Sequence, residues 1–87
     1  MKVLAQEIDV IAYFTKEGKL EPLRFKFMNQ ERKVLVIKVD KILKEEKEMY
    51  CGNVMDKFTC SSVIDNIERI YELKFAREAH KWILFKY

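Results

Sequence analysis

Two cysteines and one histidine are the side chains with nucleophilic or soft-ligand chemistry: Cys51, Cys60 and His80. A thiolate beside an imidazole can attack an electrophilic carbon, provided the thiol is activated and the base is oriented. The same atoms, joined by carboxylates, can hold a metal. The spacings argue against both. The cysteines stand outside any CxxC pattern, and no pair has zinc-finger or zincin spacing. Gly18 and Gly52 lie too far apart for a phosphate-cradling loop. Glu7 and Asp9 share one strand face, where acidic groups ordinarily serve solubility and edge protection. The expectation is a non-enzyme with no cofactor and no metal. A thiol-dependent enzyme acting through Cys51 or Cys60 is the third-ranked reading.

The second constellation is basic and aromatic. LRFKF (residues 23–27) and YELKF (71–75) alternate apolar with charged residues, so each strand has one greasy and one charged side. On this pattern Arg24, Lys26, Lys38, Lys57 and Lys74 face outward from one sheet, and Trp82, in phase with Leu84 and Lys86, joins them. Positive charge beside an exposed aromatic ring is the minimal platform for single-stranded nucleic acid, through phosphate contact and base stacking. The bland reading is that outward lysines keep the sheet soluble while Trp82 is core. Seventeen basic and fourteen acidic residues give a net charge of only +3, which favours the bland reading.

Length bounds what can position these groups. Eighty-seven residues make one domain, 1–87, and such a chain buries only about 60–65% of its unfolded surface. Large side chains must supply the core, and six Phe, four Tyr and one Trp do so. MKVLAQEIDV meets Glu7 and Asp9 before any long apolar run, so it does not read as a secretory signal. No run of eighteen apolar residues exists to span a membrane. With two separated cysteines, reduced thiols and a cytoplasmic location are expected.

EIDVIAYFT (7–15) is rich in β-branched and aromatic residues and runs into a turn at Gly18. Leu20–Met28 resumes as a strand, with Pro22 early enough to be tolerated. NQER turns the chain into VLVIKV (34–39). Three strands joined by short polar turns predict an antiparallel meander. Residues 41–50 fit either a short helix capped by Asp40 or a bent strand with EEKE as a solvated loop, followed by a turn at Gly52-Asn53. DKFTCSSV (56–63) alternates weakly, and Asp65-Asn66 signals another turn. For the last segment the strand period does better at both ends: Tyr71, Leu73 and Phe75 alternate, and WILFKY favours β structure. The alternative is an α+β fold with a C-terminal helix over 66–86, since Ile67, Ile70, Tyr71, Phe75 and Trp82 share a helical face interrupted by Lys74, Glu78 and Lys81.

The pieces IDVIAYFTKEGKLEPLRFKF, VLVIKVDKIL, YELKF and KWILF together resemble a group of short, uncharacterised bacterial all-β domains. Some related domains are encoded near, or attached to, translesion-type DNA polymerases. That resemblance implies a β fold and a bacterial origin, and carries no site residues to this chain. The group has more Trp and Arg in the middle, where this sequence reads KEEKEMY.

The expected fold is therefore mainly β, about six antiparallel strands curled into a small open barrel or roll. Its core should draw on Ile8, Val10, Phe25, Phe27, Leu35, Ile37, Phe58, Tyr71, Leu73, Phe75 and Phe85. The strands at both ends of the chain are apolar on both faces, which predicts a homodimer or a covering partner. The expected function is a non-catalytic, self-associating interaction module. The alternative is a sequence-tolerant nucleic-acid binder using Arg24, Lys26, Lys38, Lys74 and Trp82.

Overall fold

The computed structural model describes the backbone of residues 1–87 and every side chain except that of Tyr50. Seven strands form one antiparallel sheet: β1 (Val3–Phe14), β2 (Leu20–Met28), β3 (Val34–Lys38), β4 (Lys41–Tyr50), β5 (Asn53–Ile64), β6 (Ile67–Ala76) and β7 (Lys81–Lys86). The spatial order is β3-β2-β1-β7-β6-β5-β4, and the sheet curls into a half-barrel. The expected β fold is formed, and the C-terminal segment is a hairpin; the alternative helix over 66–86 is not seen.

Turn chemistry sets the registers. Asp65 and Asn66, both at positive φ, link the paired residues Ile64 and Ile67 in a two-residue loop, the geometry that matches strand twist. Cys51 and Gly52 do the same between Tyr50 and Asn53, so the turn precedes the expected Gly52-Asn53 by one residue and Asn53 opens β5. Between β2 and β3, the Asn29 carboxamide oxygen accepts from the amides of Glu31 and Lys33, each at 2.9 Å. The Arg77–His80 connection has no glycine; His80 takes the left-handed conformation instead (φ 54°).

Residues 41–50 form a full strand, a correction to both the short helix and the solvated loop. The charges of KEEKE serve an edge strand on both of its faces. Glu46 and Glu48 point outward to Lys57 and Lys74. Glu45, opposite Phe58, lies over the open end of the half-barrel and reaches Lys19 across it at 3.7 Å. Counting this strand, the sheet has seven, in keeping with the expected number of about six.

The concave side holds the core: Phe25, Phe27, Ile37, Phe58, Cys60, Tyr71, Leu73 and Leu84, with Leu4, Ile8, Val10, Leu35 and Trp82 packed against it half-buried. Six expected core residues are buried there, and Phe75 is half-buried against Trp82 at 5.1 Å between rings. Phe85 is the exception, and Leu84 takes its place. A bulge explains the exchange. Leu73 pairs with Leu84, but Glu72 pairs with Lys86, so Phe85 is the extra residue and the inward phase jumps from Leu84 to Tyr87. One residue of register moves a side chain to the other face. Phe85 therefore lies outside, under the Lys74 ammonium at 3.7 Å, while the Tyr87 ring meets Phe27 inside at 4.7 Å.

The two sheet edges, β3 and β4, are consecutive in sequence and joined only by Val39 and Asp40. That link is pinned on both sides. Val39 N–H donates to Leu23 O (2.9 Å) and Asp40 N–H to Ser61 O (3.1 Å). The Asp40 carboxylate accepts from Val63 N–H at 2.8 Å. Ser62 Oγ donates to Lys38 O at 2.5 Å, and having one proton must accept from the Tyr71 hydroxyl, 2.6 Å away.

This chain of donors ranks two variants. Tyr71→Phe removes one buried bond and leaves Ser62 satisfied, at a cost of about 1 kcal/mol. Ser62→Ala strands both the Lys38 carbonyl and the Tyr71 hydroxyl, and should cost about 2–3 kcal/mol. Urea denaturation of the two variants checks the order.

Candidate binding face

The five basic and aromatic residues singled out from the sequence do not form one surface. Arg24 and Lys38 lie directly opposite each other on β2 and β3, and Lys26 is opposite Val36. All three are exposed on the convex side, because Phe25 and Ile37 of the same strands point inward. Lys74 is also convex but three strands from β2 and four from β3, and it is engaged: its ammonium sits 3.0 Å from Glu48 and over the Phe85 ring. Trp82 is on the concave side, stacked between Phe58 (5.6 Å) and Phe75 (5.1 Å). The outward position expected for Trp82 is corrected by the same bulge that turns Phe85 out, which shifts the inward phase of β7 by one residue.

Two like-charged cross-strand pairs show how differently the cations are treated. Lys57 is directly opposite Lys74 on β5 and β6. Carboxylates surround that pair: Glu46, Glu48 and Glu72 lie within 3.3–3.8 Å of Lys57, and Glu48 bridges to Lys74. The Glu72 carboxylate, almost fully buried, also takes Lys86 at 3.5 Å. Hydrogen bonding to Glu72 holds the Lys57 ammonium above its ordinary pKa, and Lys74 holds the Glu48 carboxyl below its own. This network is self-contained. Arg24 and Lys38 have no ion pair among the described residues, and Lys26 has only Asp9, at 3.6 Å.

Aliphatic side chains surround the unpaired cations. Ile11 is opposite Arg24, Val36 opposite Lys26, and Val34 opposite Met28. All four are half exposed or more, from 50% for Met28 to 62% for Val36. Asp9, Ile11, Arg24, Lys26 and Val36 line a shallow depression of about 370 Å³ on this face. Val10 and Phe25 of the same strands form its floor, Phe25 with only 1% of its surface exposed.

A larger groove, about 710 Å³, opens between the β1–β2 and β4–β5 hairpins over Phe58 and Phe75. Its charges largely satisfy one another. Arg77 grips Asp56 through two bonds of 2.8 and 2.9 Å, and Lys19 meets Glu45. It has the shape of a binding cleft, and of its lining Lys, Arg, Asp and Glu side chains only Lys47 has no ion pair among the described residues, whereas the convex face sets two such cations side by side.

The thiols are separated by chemistry as well as position. Cys60 is fully buried, and burial pushes its thiol up to about 12 from an ordinary 9.0, the reverse of activation. Cys51 is exposed in its turn. Among the described residues no group of three or more His, Cys, Asp or Glu is placed to hold a metal ion, and no helix is long and apolar enough to cross a membrane. Comparison with protein-family models, curated proteins and solved structures finds no match to this chain.

Thiol titration of the native protein should show one accessible group, Cys51, with Cys60 reacting only on unfolding. Cys60 also predicts an alkaline limb. The unfolded thiol ionises near 9 and the folded one near 12, so stability should fall as pH rises through that window, at up to about 1.4 kcal/mol per pH unit. Tyr71, raised by burial, adds to the loss above its ordinary 10.0. Thermal melts from pH 7 upward should fall less steeply between 9 and 10 in Cys60→Ala.

Proposed function

We propose that this chain is a non-catalytic interaction module that self-associates through the edge strand β3. The observation that carries the reading is the contrast between the two edges of the sheet. β4 shields its edge with KEEKE, the usual defence against unwanted pairing. β3 reads VLVIK, with Val34 60% and Val36 62% exposed. Its last residue is held by Ser62, which leaves the stretch before Lys38 as the open part of the edge.

Two copies pair best antiparallel about Leu35. Val34 of each then faces Val36 of the other on the outward side, and the two Leu35 side chains meet inside. Such an interface is isologous, as a two-fold requires. It continues the sheet from one copy into the next and covers apolar surface that a lone copy leaves wet. The same geometry gathers the outward cations of both copies onto one face, so the dimer should tighten as salt screens them. The unactivated Cys60 supports a non-catalytic role, and free thiols suit a reducing cytoplasm.

Sedimentation at micromolar protein should show a dimer. Val34→Lys with Val36→Lys sets lysine against lysine twice across the two-fold and should raise the dimer dissociation constant by at least about tenfold, or 1.4 kcal/mol. Both positions are exposed, so the melt should change little apart from the lost dimer. A clean wild-type monomer ends the proposal, and a double variant that stays dimeric moves the interface elsewhere.

A further inference from the structure

We infer that the outward face of β1, β2 and β3 is a docking site for an acidic, aliphatic protein segment, with Arg24 and Lys38 as its carboxylate clamp. The inference deepens the proposed function; it rests on reading the chain as an interaction module, not on its dimerisation.

Like charges directly opposite on adjacent strands are destabilising. This fold contains two such pairs and treats them differently. Lys57 and Lys74 are flanked by Glu46, Glu48 and Glu72. Arg24 and Lys38 have no carboxylate within ion-pair distance among the described residues, although a single Glu at either position would have formed a favourable cross-strand pair. An uncompensated local conflict in an otherwise consistent sheet is where a functional demand is expected. The demand here is for an anion. Arg24 offers a planar fork that matches a carboxylate through two bonds, and Lys38 offers a second cation beside it.

The surroundings select the class of anion. Ile11, Val34, Val36 and Met28 are aliphatic or thioether groups that match aliphatic side chains. A single-stranded nucleic acid would need rings to stack on; Trp82 lies on the concave side against Phe58 and Phe75, and the exposed ring on this side of β1, Tyr13, donates its hydroxyl to Glu21 at 2.7 Å, a carboxylate that would repel a phosphate. Around the depression Arg24, Lys26 and Lys38 stand against Asp9, while the other carboxylates of the face, Glu7 and Glu21, are engaged by Lys81 and the Tyr13 hydroxyl; a segment with alternating carboxylate and aliphatic residues complements the depression in both charge and spacing.

The probe is a fluorescein-labelled peptide alternating Glu with Val, read by anisotropy against the full chain. Its controls are the same peptide with Lys for Glu and a labelled oligothymidine of similar length. The acidic peptide should bind, weaken with salt, and lose at least about tenfold in affinity in Arg24→Gln with Lys38→Gln. Lys38→Glu should abolish binding and yet raise the Tm, because it pairs with Arg24; a merely structural role would not move the two in opposite directions. The inference is overturned if the acidic peptide does not bind, if the Lys peptide binds equally, if oligothymidine binds more tightly, or if the double glutamine variant binds as wild type. Peptide binding to a monomer refutes the dimer alone, and a dimer that ignores the peptide refutes the docking face alone.

Discussion

The shape of this protein follows from one short connection. β3 and β4 are the opposite edges of a seven-stranded sheet, yet only Val39 and Asp40 separate them in sequence. At ordinary strand spacing the edges of a flat sheet of this width would stand about 29 Å apart. Two linking residues reach about 11 Å at most. The sheet must curl, and the half-barrel is the outcome. Hydrogen bonds from Val39, Asp40 and Ser62 secure the closure to β2 and β5.

Curling gives the two faces different tasks. The concave face gathers Phe25, Phe27, Phe58, Tyr71, Leu73 and Leu84 into one core, which an 87-residue chain needs in order to bury enough apolar surface. The convex face cannot be covered by the chain itself. On β4 to β7 it is finished with a network of lysines and glutamates around Lys57 and Glu72. Exposed aliphatic groups occur on both halves, Val63 and Ile70 among them, but on β1 to β3 they flank Arg24 and Lys38, two cations set opposite each other with no ion pair among the described residues. The asymmetry between the halves of one sheet is the basis for placing function on β1 to β3.

Much of this was legible in the residue pattern, and the failures have physical causes. The alternation in LRFKF and YELKF put Phe25, Phe27, Tyr71 and Leu73 inside, as they are, and put Arg24, Lys26 and Lys38 together outside. What alternation cannot supply is register. That Arg24 meets Lys38 directly depends on the Asn29-centred turn, whose two side-chain hydrogen bonds count residues in a way strand period does not. The bulge opposite Glu72 is equally silent in the sequence and reversed the roles of Trp82, Leu84 and Phe85. β4 was obscured because an edge strand at the mouth of a half-barrel meets water on both faces, so its charges follow neither the helix nor the strand period cleanly.

The central claim is that the Val39–Asp40 link holds the two edges together and so determines which face remains outside. Native-state amide hydrogen exchange tests it directly. The amides of Val39, Asp40 and Val63, each bonded at the link, should exchange only through global unfolding, as slowly as those of Phe58 and Tyr71 in the central strands. Exchange at those three positions as fast as at Lys16 and Glu17 in the exposed β1–β2 turn would mean that the edges part freely, and would contradict the account.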